Sequence, residues 1–162
     1  MNSTNDRGSV ARRLTHLFSL LLAIGIFTGC KSVPPPANFS EPGWKVRQGQ
    51  ALWKGESAIS EIAGELLVAT HTNGQAYVSF SKTPVTLVSA QSTANQWYIH
   101  YPPNGQWHGY GPPPSRVIWL HLAKFLDGAP PPSRWHWERR ENNSWRLENR
   151  ATGEYLEGFL NP

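Results

Sequence analysis

From Trp44 to Gly111 the chain carries short runs in which apolar and polar residues alternate, rich in β-branched and aromatic side chains. Successive side chains of a β-strand point to opposite faces, so this period of two predicts strands. The Asn73-Gly74 pair between two of these runs favours a two-residue hairpin turn. The predicted strands cover residues 45–53, 61–71, 75–81, 85–91, 96–101 and 107–110.

The segment that follows Pro112-Pro113-Pro114 has a helical period instead. Ser115 is placed to cap the start of a helix over 116–126, and Asp127-Gly128 supplies its end. The apolar stripe of this predicted helix consists of Ile118, Leu122, Phe125 and Leu126, and Trp119 widens it.

Alternation returns after the helix and predicts three closing strands, the last over 154–160. Consecutive short strands with tight turns favour an antiparallel sheet, and the stripe of a single helix needs a sheet face to bury it. The sequence therefore predicts a mainly β domain. Its expected architecture is a curved antiparallel sheet of about nine strands, an incomplete barrel, with one amphipathic helix packed on the concave face.

The N-terminus has a different pattern. Three arginines precede an apolar run over 14–27, and the small residue Gly29 leads into Cys30. These are the regions of a secretory signal peptide, and the run is shorter than the ~20 residues of a membrane-spanning helix. Cys30 is the only cysteine, so neither an internal disulfide nor a multi-cysteine metal site is expected. The site resembles the lipobox of bacterial lipoproteins, which implies cleavage before Cys30 and attachment of lipid to it; an ordinary signal peptide is the alternative.

Residues 31–43 contain Pro34-Pro35-Pro36 and few apolar groups, which favours an extended tether. We therefore expect a lipoprotein signal peptide over 1–29, a lipidated Cys30 with a proline-rich tether over 30–43, and a single β-rich domain over 44–162. The residue after the cysteine is Lys31 rather than Asp. In lipoprotein sorting of the enterobacterial type, which this resembles, that residue implies transport to the periplasmic face of the outer membrane.

The charge and the motifs of the chain narrow the range of functions to be expected. The net charge is +4, and loss of residues 1–29 removes three Arg and one Asp and leaves +2. No run of basic residues remains, so nucleic acid is not an expected partner. The six histidines lack the spacing of a helical zinc motif, and neither a nucleophile elbow nor a phosphate loop is present. The sequence thus predicts a non-enzymatic protein with no cofactor and no metal.

Eight tryptophans are many for a chain of this length. One interpretation is that they fill the core of a small β domain, because each buries a large area. The other is that some of them line a groove for an acyl chain or for a sugar face. The second interpretation leaves room for a carbohydrate-binding or hydrolytic module with exposed tryptophan platforms.

Three segments within this order of elements carry a family resemblance: GELLVAT, VSFSKTPVTLVSA and WLHLAKFLDGAP, at 64–70, 78–90 and 119–130. Together with the lipobox and tether, the order resembles the outer-membrane lipoprotein carrier and receptor family, the LolA/LolB-like proteins, over residues 44–160. The resemblance implies an incomplete barrel whose concave apolar face, lidded by helices, holds acyl chains. The chain departs from that family in its short domain and its single predicted helix.

The expected function is that of a membrane-anchored envelope lipoprotein that binds lipid or lipoprotein acyl chains in an apolar trough, in the localisation of outer-membrane lipoproteins. The alternative is a non-enzymatic structural or interaction lipoprotein whose filled core leaves its surface to dock another envelope protein. The same apolar residues serve as cavity wall in the first hypothesis and as filled core in the second. They are Leu66, Val68, Val78, Phe80, Leu87, Trp97, Ile99, Trp119, Leu122 and Phe125.

Overall fold

The computed structural model describes residues 37–56, 58–103, 105–140 and 143–161. They form nine β-strands and one short helical segment, a 3-10 turn at Ile118–Leu120 followed by the helix α1, Leu122–Leu126. The strands are β1 Trp44–Lys54, β2 Ile62–His71, β3 Ala76–Lys82, β4 Val85–Ser92, β5 Gln96–Tyr101, β6 Gly105–Tyr110, β7 His136–Arg139, β8 Ser144–Asn149 and β9 Glu154–Leu160.

All nine strands belong to one antiparallel sheet in the order β6-β5-β4-β3-β2-β1-β9-β8-β7. The first six follow one another as a meander. After the helical segment the chain returns to the other side of β1, and β9 pairs with it from Gly49↔Leu160 to Lys54↔Tyr155. Since β6 and β7 lie at opposite edges, the sheet is not closed. The predicted mainly β fold, an unclosed antiparallel sheet of nine strands, is confirmed.

The hairpin between β2 and β3 differs from its prediction. Thr70 pairs with Ala76, and the His71 N–H donates to the Gln75 carbonyl oxygen at 2.9 Å, which leaves a loop of three residues, 72–74. Gly74 has a φ of +86°, the left-handed conformation that such a loop requires at its last position. The prediction of a two-residue turn is therefore wrong, because Gly74 is the last residue of a three-residue loop.

The helical segment is shorter than the continuous helix predicted over 116–126. Val117, extended at φ −97° and ψ 93°, precedes the 3-10 turn, and neither the turn nor α1 has a side-chain cap, so the predicted cap by Ser115 is wrong. Ile118, Trp119 and Leu120 are all buried, in contact with β3, β4 and β5. Three successive buried side chains do not fit the single stripe of a regular helix, and this packing outweighs the helical period.

The predicted signal peptide, Cys30 and residues 31–36 of the tether lie outside the described residues. Within the described ranges, no helix has the length and apolar character needed to cross a membrane.

Candidate functional site

The sheet has one covered face, defined as the face on which the helical segment packs. Its side chains alternate along each strand with those of the opposite, outer face. Leu66 lies opposite Phe80, Val68 opposite Val78, and Ala90 opposite Ile99, and these six side chains are 0–2 % exposed. The covered face of β2 to β5 is therefore a continuous apolar surface.

All ten side chains of the predicted cavity wall come together on this face or on the helical segment. Eight of them are buried members of one core cluster, and Leu87 and Trp97 are half-buried and pack against it. Their side chains pack against one another and against the segment above them. Whether a ligand replaces part of that packing stays a prediction.

Residues 117–128, named the cover here, lie over this apolar face. Trp119 is its centre: the ring stacks on Phe80 at 5.4 Å between centroids and meets Trp53 edge to face at 5.3 Å. The Trp119 side chain is buried, and its indole Nε1 has no hydrogen-bond partner in the described part of the chain. A buried donor without an acceptor costs free energy, so the cover is held by apolar packing at this point.

One polar contact fastens the C-terminal end of the cover, and another holds the chain just before its N-terminal end. At its C-terminal end, the Arg47 guanidinium on β1 lies 2.6 Å from the Asp127 carboxylate and donates to the Leu126 carbonyl oxygen at 3.5 Å. On the N-terminal side, Trp135 Nε1 donates to the Ser115 carbonyl oxygen at 3.0 Å. The cover is thus tied to β1 by one ion pair that lies close to the surface.

A histidine contact lies inside the cover. The His121 ring stacks on Phe125, and its Nε2 lies 3.2 Å from the Pro114 carbonyl oxygen. Burial lowers the pKa of His121, and the hydrogen bond to Pro114 opposes that shift only in part. The neutral imidazole is therefore the form that the packed cover favours.

An aromatic path leads from the cover to the sheet edge. Trp53 stacks on Tyr101 at 6.5 Å, and Tyr101 meets Trp107 at 5.7 Å. The Trp53 indole donates to Glu154 at 3.4 Å. Burial raises the pKa of both Tyr101 and Glu154. The path connects the buried Trp119 to Trp107, which is 51 % exposed.

The outer face carries a groove of about 570 Å³ that crosses β3, β2, β1, β9 and β8. Leu52, Ala63 and Phe159 supply apolar lining, while Glu65 accepts a hydrogen bond from Thr83 at 3.0 Å. A second groove of about 420 Å³ adjoins it and shares Gln50, Glu65, Ser81 and Phe159. Among the ten predicted wall residues, only Leu66 borders either groove. These grooves are open, amphipathic surfaces outside the predicted trough.

Two residues were not identified from the sequence: Arg47, which ties the cover to β1, and Trp53, which connects Trp119 to Tyr101. A signal for both is present in β1: Arg47 and Trp53 share the alternation of Ala51, whose side chain is buried on the covered face. A single arginine on the core side of a strand indicates a buried or half-buried partner for its charge. The described residues contain no group of three or more His, Cys, Asp or Glu side chains that could hold a metal ion.

No protein-family model matches the chain, and no curated protein matches it.

Proposed function

We propose that this chain is a lipid-anchored protein of the bacterial outer membrane, on the periplasmic face, which binds the acyl chains of lipids or lipoproteins without catalysis. The observation that carries the proposal is the covered face: an unclosed sheet buries the apolar side chains of β2 to β5 under a segment of twelve residues rather than under a second sheet. A short cover is the part of such a core that a ligand can displace at least cost.

An acyl chain on the covered face takes the place of part of the cover. Each buried CH₂ contributes about 0.8 kcal/mol, so a chain of about fifteen methylenes contributes roughly 12 kcal/mol towards displacement of the cover. The helical elements of the cover have no side-chain caps. Gly111, six residues before the cover, and Gly128, its last residue, have φ of +80° and +98°. Proline triplets at 112–114 and 130–132 make the two connections stiff, which favours movement of the cover as a unit.

The Arg47 to Asp127 ion pair gives a test that acts on the cover alone. In Arg47→Ala, we expect an apolar naphthylamine dye to bind several-fold more tightly than in the wild type, because one end of the cover is released. The matched control is Arg146→Ala, which removes an arginine paired with Glu148 and Glu157 on the outer face. Dye titration is combined with mass spectrometry of acyl species extracted from the natively purified wild-type protein.

The proposal predicts extractable acyl ligands in the wild type, stronger dye binding in Arg47→Ala, and no change in Arg146→Ala. Protein that is free of acyl species, and that excludes dye in all three forms, would contradict it. Equal increases in the two arginine variants would show general loosening of the domain instead.

The anchor has its own test at Cys30. Cells that express the full chain are fed labelled palmitate, and we expect label in the wild type and none in Cys30→Ser. Stable anchoring requires at least two acyl chains, so the unlabelled variant is also expected to leave the membrane fraction. Label that persists in Cys30→Ser would contradict lipidation at this residue.

A second candidate function is that of an interaction lipoprotein with a filled core. It is favoured by the burial of eight of the ten wall residues and by the position of the 570 Å³ groove on the outer face. Under this hypothesis the dye titration fails in every variant, while crosslinking in cells recovers a protein partner. The two candidates therefore differ in the outcome of one experiment.

A further inference from the structure

The two edges of the sheet differ in how they are protected. β7 has four residues and carries Glu138 and Arg139, and the neighbouring Arg140 lies 3.6 Å from Glu138. β6 has six residues, GQWHGY, with no Asp, Glu, Lys, Arg or Pro. Charges, prolines and short length are the usual means by which proteins keep an edge strand from pairing with another chain. β6 has none of them.

Alternate backbone groups of β6 point away from the sheet. The Gly111 N–H donates to the Asn95 carbonyl oxygen at 2.8 Å, and the register continues through Trp97↔Gly109 and Ile99↔Trp107. In an antiparallel ladder the residues between such pairs direct their N–H and C=O groups outwards. On β6 these residues are Gln106, His108 and Tyr110.

Large aromatic side chains accompany this open edge. Trp107 is 51 % exposed and Tyr110 is 63 % exposed. They lie on opposite faces of the sheet, because their positions in the strand differ by three and successive side chains alternate between the faces. A strand added at β6 would therefore bury aromatic surface on both of its faces.

The sequence of β6 is complementary to itself. Where β6 pairs with β5, Gln96 lies opposite Tyr110 and Trp97 lies opposite Gly109. β6 contains the same dipeptide, Gln106-Trp107. If His108 lies opposite His108 of a second copy in antiparallel register, Gln106 faces the second copy's Tyr110 and Trp107 faces its Gly109. The free edge of β6 then repeats the two side-chain pairs that β6 makes with β5.

The Trp97 to Gly109 pair shows why this register fits. A Cβ added at Gly109 would lie 2.6 Å from the Trp97 ring, so the glycine allows the indole to lie across the strand. In the self-paired register Trp107 and Gly109 of the second copy form a pair without mutual hydrogen bonds, in which side chains lie closer together. The space above Gly109 already holds the Trp97 ring of the same chain, so the Trp107 ring of the second copy lies beside that ring.

We propose that the chain forms a two-fold symmetric dimer in which β6 pairs antiparallel with β6 of a second copy, about an axis near His108. The pairing joins two sheets at their β6 edges and leaves the cover of each copy free. A second copy is favoured over a charged partner because β6 carries no Asp, Glu, Lys or Arg and meets no repulsion from its own sequence. The dimer does not depend on acyl-chain binding.

The association is measured by sedimentation of the full chain in mild detergent over a series of concentrations. We expect a monomer–dimer equilibrium that His108→Lys and His108→Pro each weaken at least tenfold. Proline at position 108 removes only an N–H that points outwards, so the ladder to β5 stays intact. The matched control is His136→Lys on the opposite edge, which is expected to leave the equilibrium unchanged.

Disulfide trapping tests the register. The chain's only native cysteine is Cys30, and the wild type serves as background. His108→Cys is expected to crosslink with itself, since directly paired Cα atoms lie about 5.5 Å apart, within disulfide range. Gln106→Cys alone is expected to stay uncrosslinked, while Gln106→Cys combined with Tyr110→Cys crosslinks.

A wild type that stays monomeric throughout the series would overturn the proposal. A dimer that His108→Lys and His108→Pro do not weaken, and that His108→Cys does not crosslink, would overturn it too. Binding of the protein through β6 to vesicles or to another protein, with no self-association, would assign the edge to that partner instead. That result would also overturn the proposed dimer. Dye binding by the same variants should be unchanged, which separates this result from the test of acyl-chain binding.

Discussion

Trp119→Ala is expected to lower the free energy of unfolding by about 3–5 kcal/mol, the range for removal of a fully buried large aromatic side chain. Trp119 is 1 % exposed and lies between Phe80 and Trp53, with both rings within 5.4 Å of its own. Alanine leaves a cavity at the centre of the cover, where Phe80 and Trp53 each lose their contact with the Trp119 ring. Urea unfolding followed by far-ultraviolet circular dichroism measures the loss without relying on tryptophan fluorescence.

The control for this substitution is Trp119→Phe. Phenylalanine keeps an aromatic ring beside Phe80 and removes the indole N–H, which is buried without a partner. Because that N–H makes no hydrogen bond, its removal recovers part of the free energy lost with the smaller ring. We expect the loss to be less than half of that in the alanine variant. A loss below about 1 kcal/mol for Trp119→Ala would contradict a cover packed on the sheet in solution.

The same pair of variants bears on acyl-chain binding. If the covered face admits a ligand, the cavity left by Trp119→Ala should increase dye binding beyond that of Trp119→Phe. A destabilised domain that still excludes dye would favour a filled core and the interaction hypothesis. Stability and binding are therefore measured on the same protein samples.

The strands could be predicted closely because their alternation records which face is buried. β5 at Gln96–Tyr101 and β9 at Glu154–Leu160 coincide with the predicted bounds, and Ile99 and Leu156 mark their covered face. The pairing of β9 with β1 could not be predicted in this way. It joins residues far apart in the chain, and alternation within a strand does not specify its neighbour.

The cover shows a different limit. Its apolar residues were predicted, yet the spacing of Ile118 and Leu122 indicated one regular helix. The structure instead buries Leu120 as well and breaks the segment at His121, because β3, β4 and β5 contact it along the 3-10 turn. Arg47 was missed for a related reason: its role depends on Asp127, eighty positions along the chain. Tertiary contacts decide both features, and local patterns do not contain them.

The junction of β1 with β9 holds the two arms of the sheet together, and Gly49→Ala is expected to weaken it strongly. A Cβ at Gly49 would overlap the Phe159 carbonyl oxygen and lie 2.8 Å from Leu160 Cα. Both atoms belong to the backbone of β9, so no flexible side chain can move aside. We expect a loss of about 2–4 kcal/mol, at or above the usual range for an overpacked site.

Gly55→Ala is the matched control for Gly49→Ala. A Cβ at Gly55 meets the Trp53 ring at 3.4 Å, and Gly55 is not among the positive-φ glycines, so alanine fits with little strain. The reduced entropy of the unfolded chain should make this variant as stable as the wild type or slightly more so. Thermal unfolding and amide hydrogen exchange of β9 measure both variants. In Gly49→Ala, the amides of β9 should exchange faster than those of β3, because the close approach of β1 and β9 fails first. Equal stability of the two variants would contradict that close approach, and with it the tight junction that keeps the covered faces of β1 to β6 and β7 to β9 in one core.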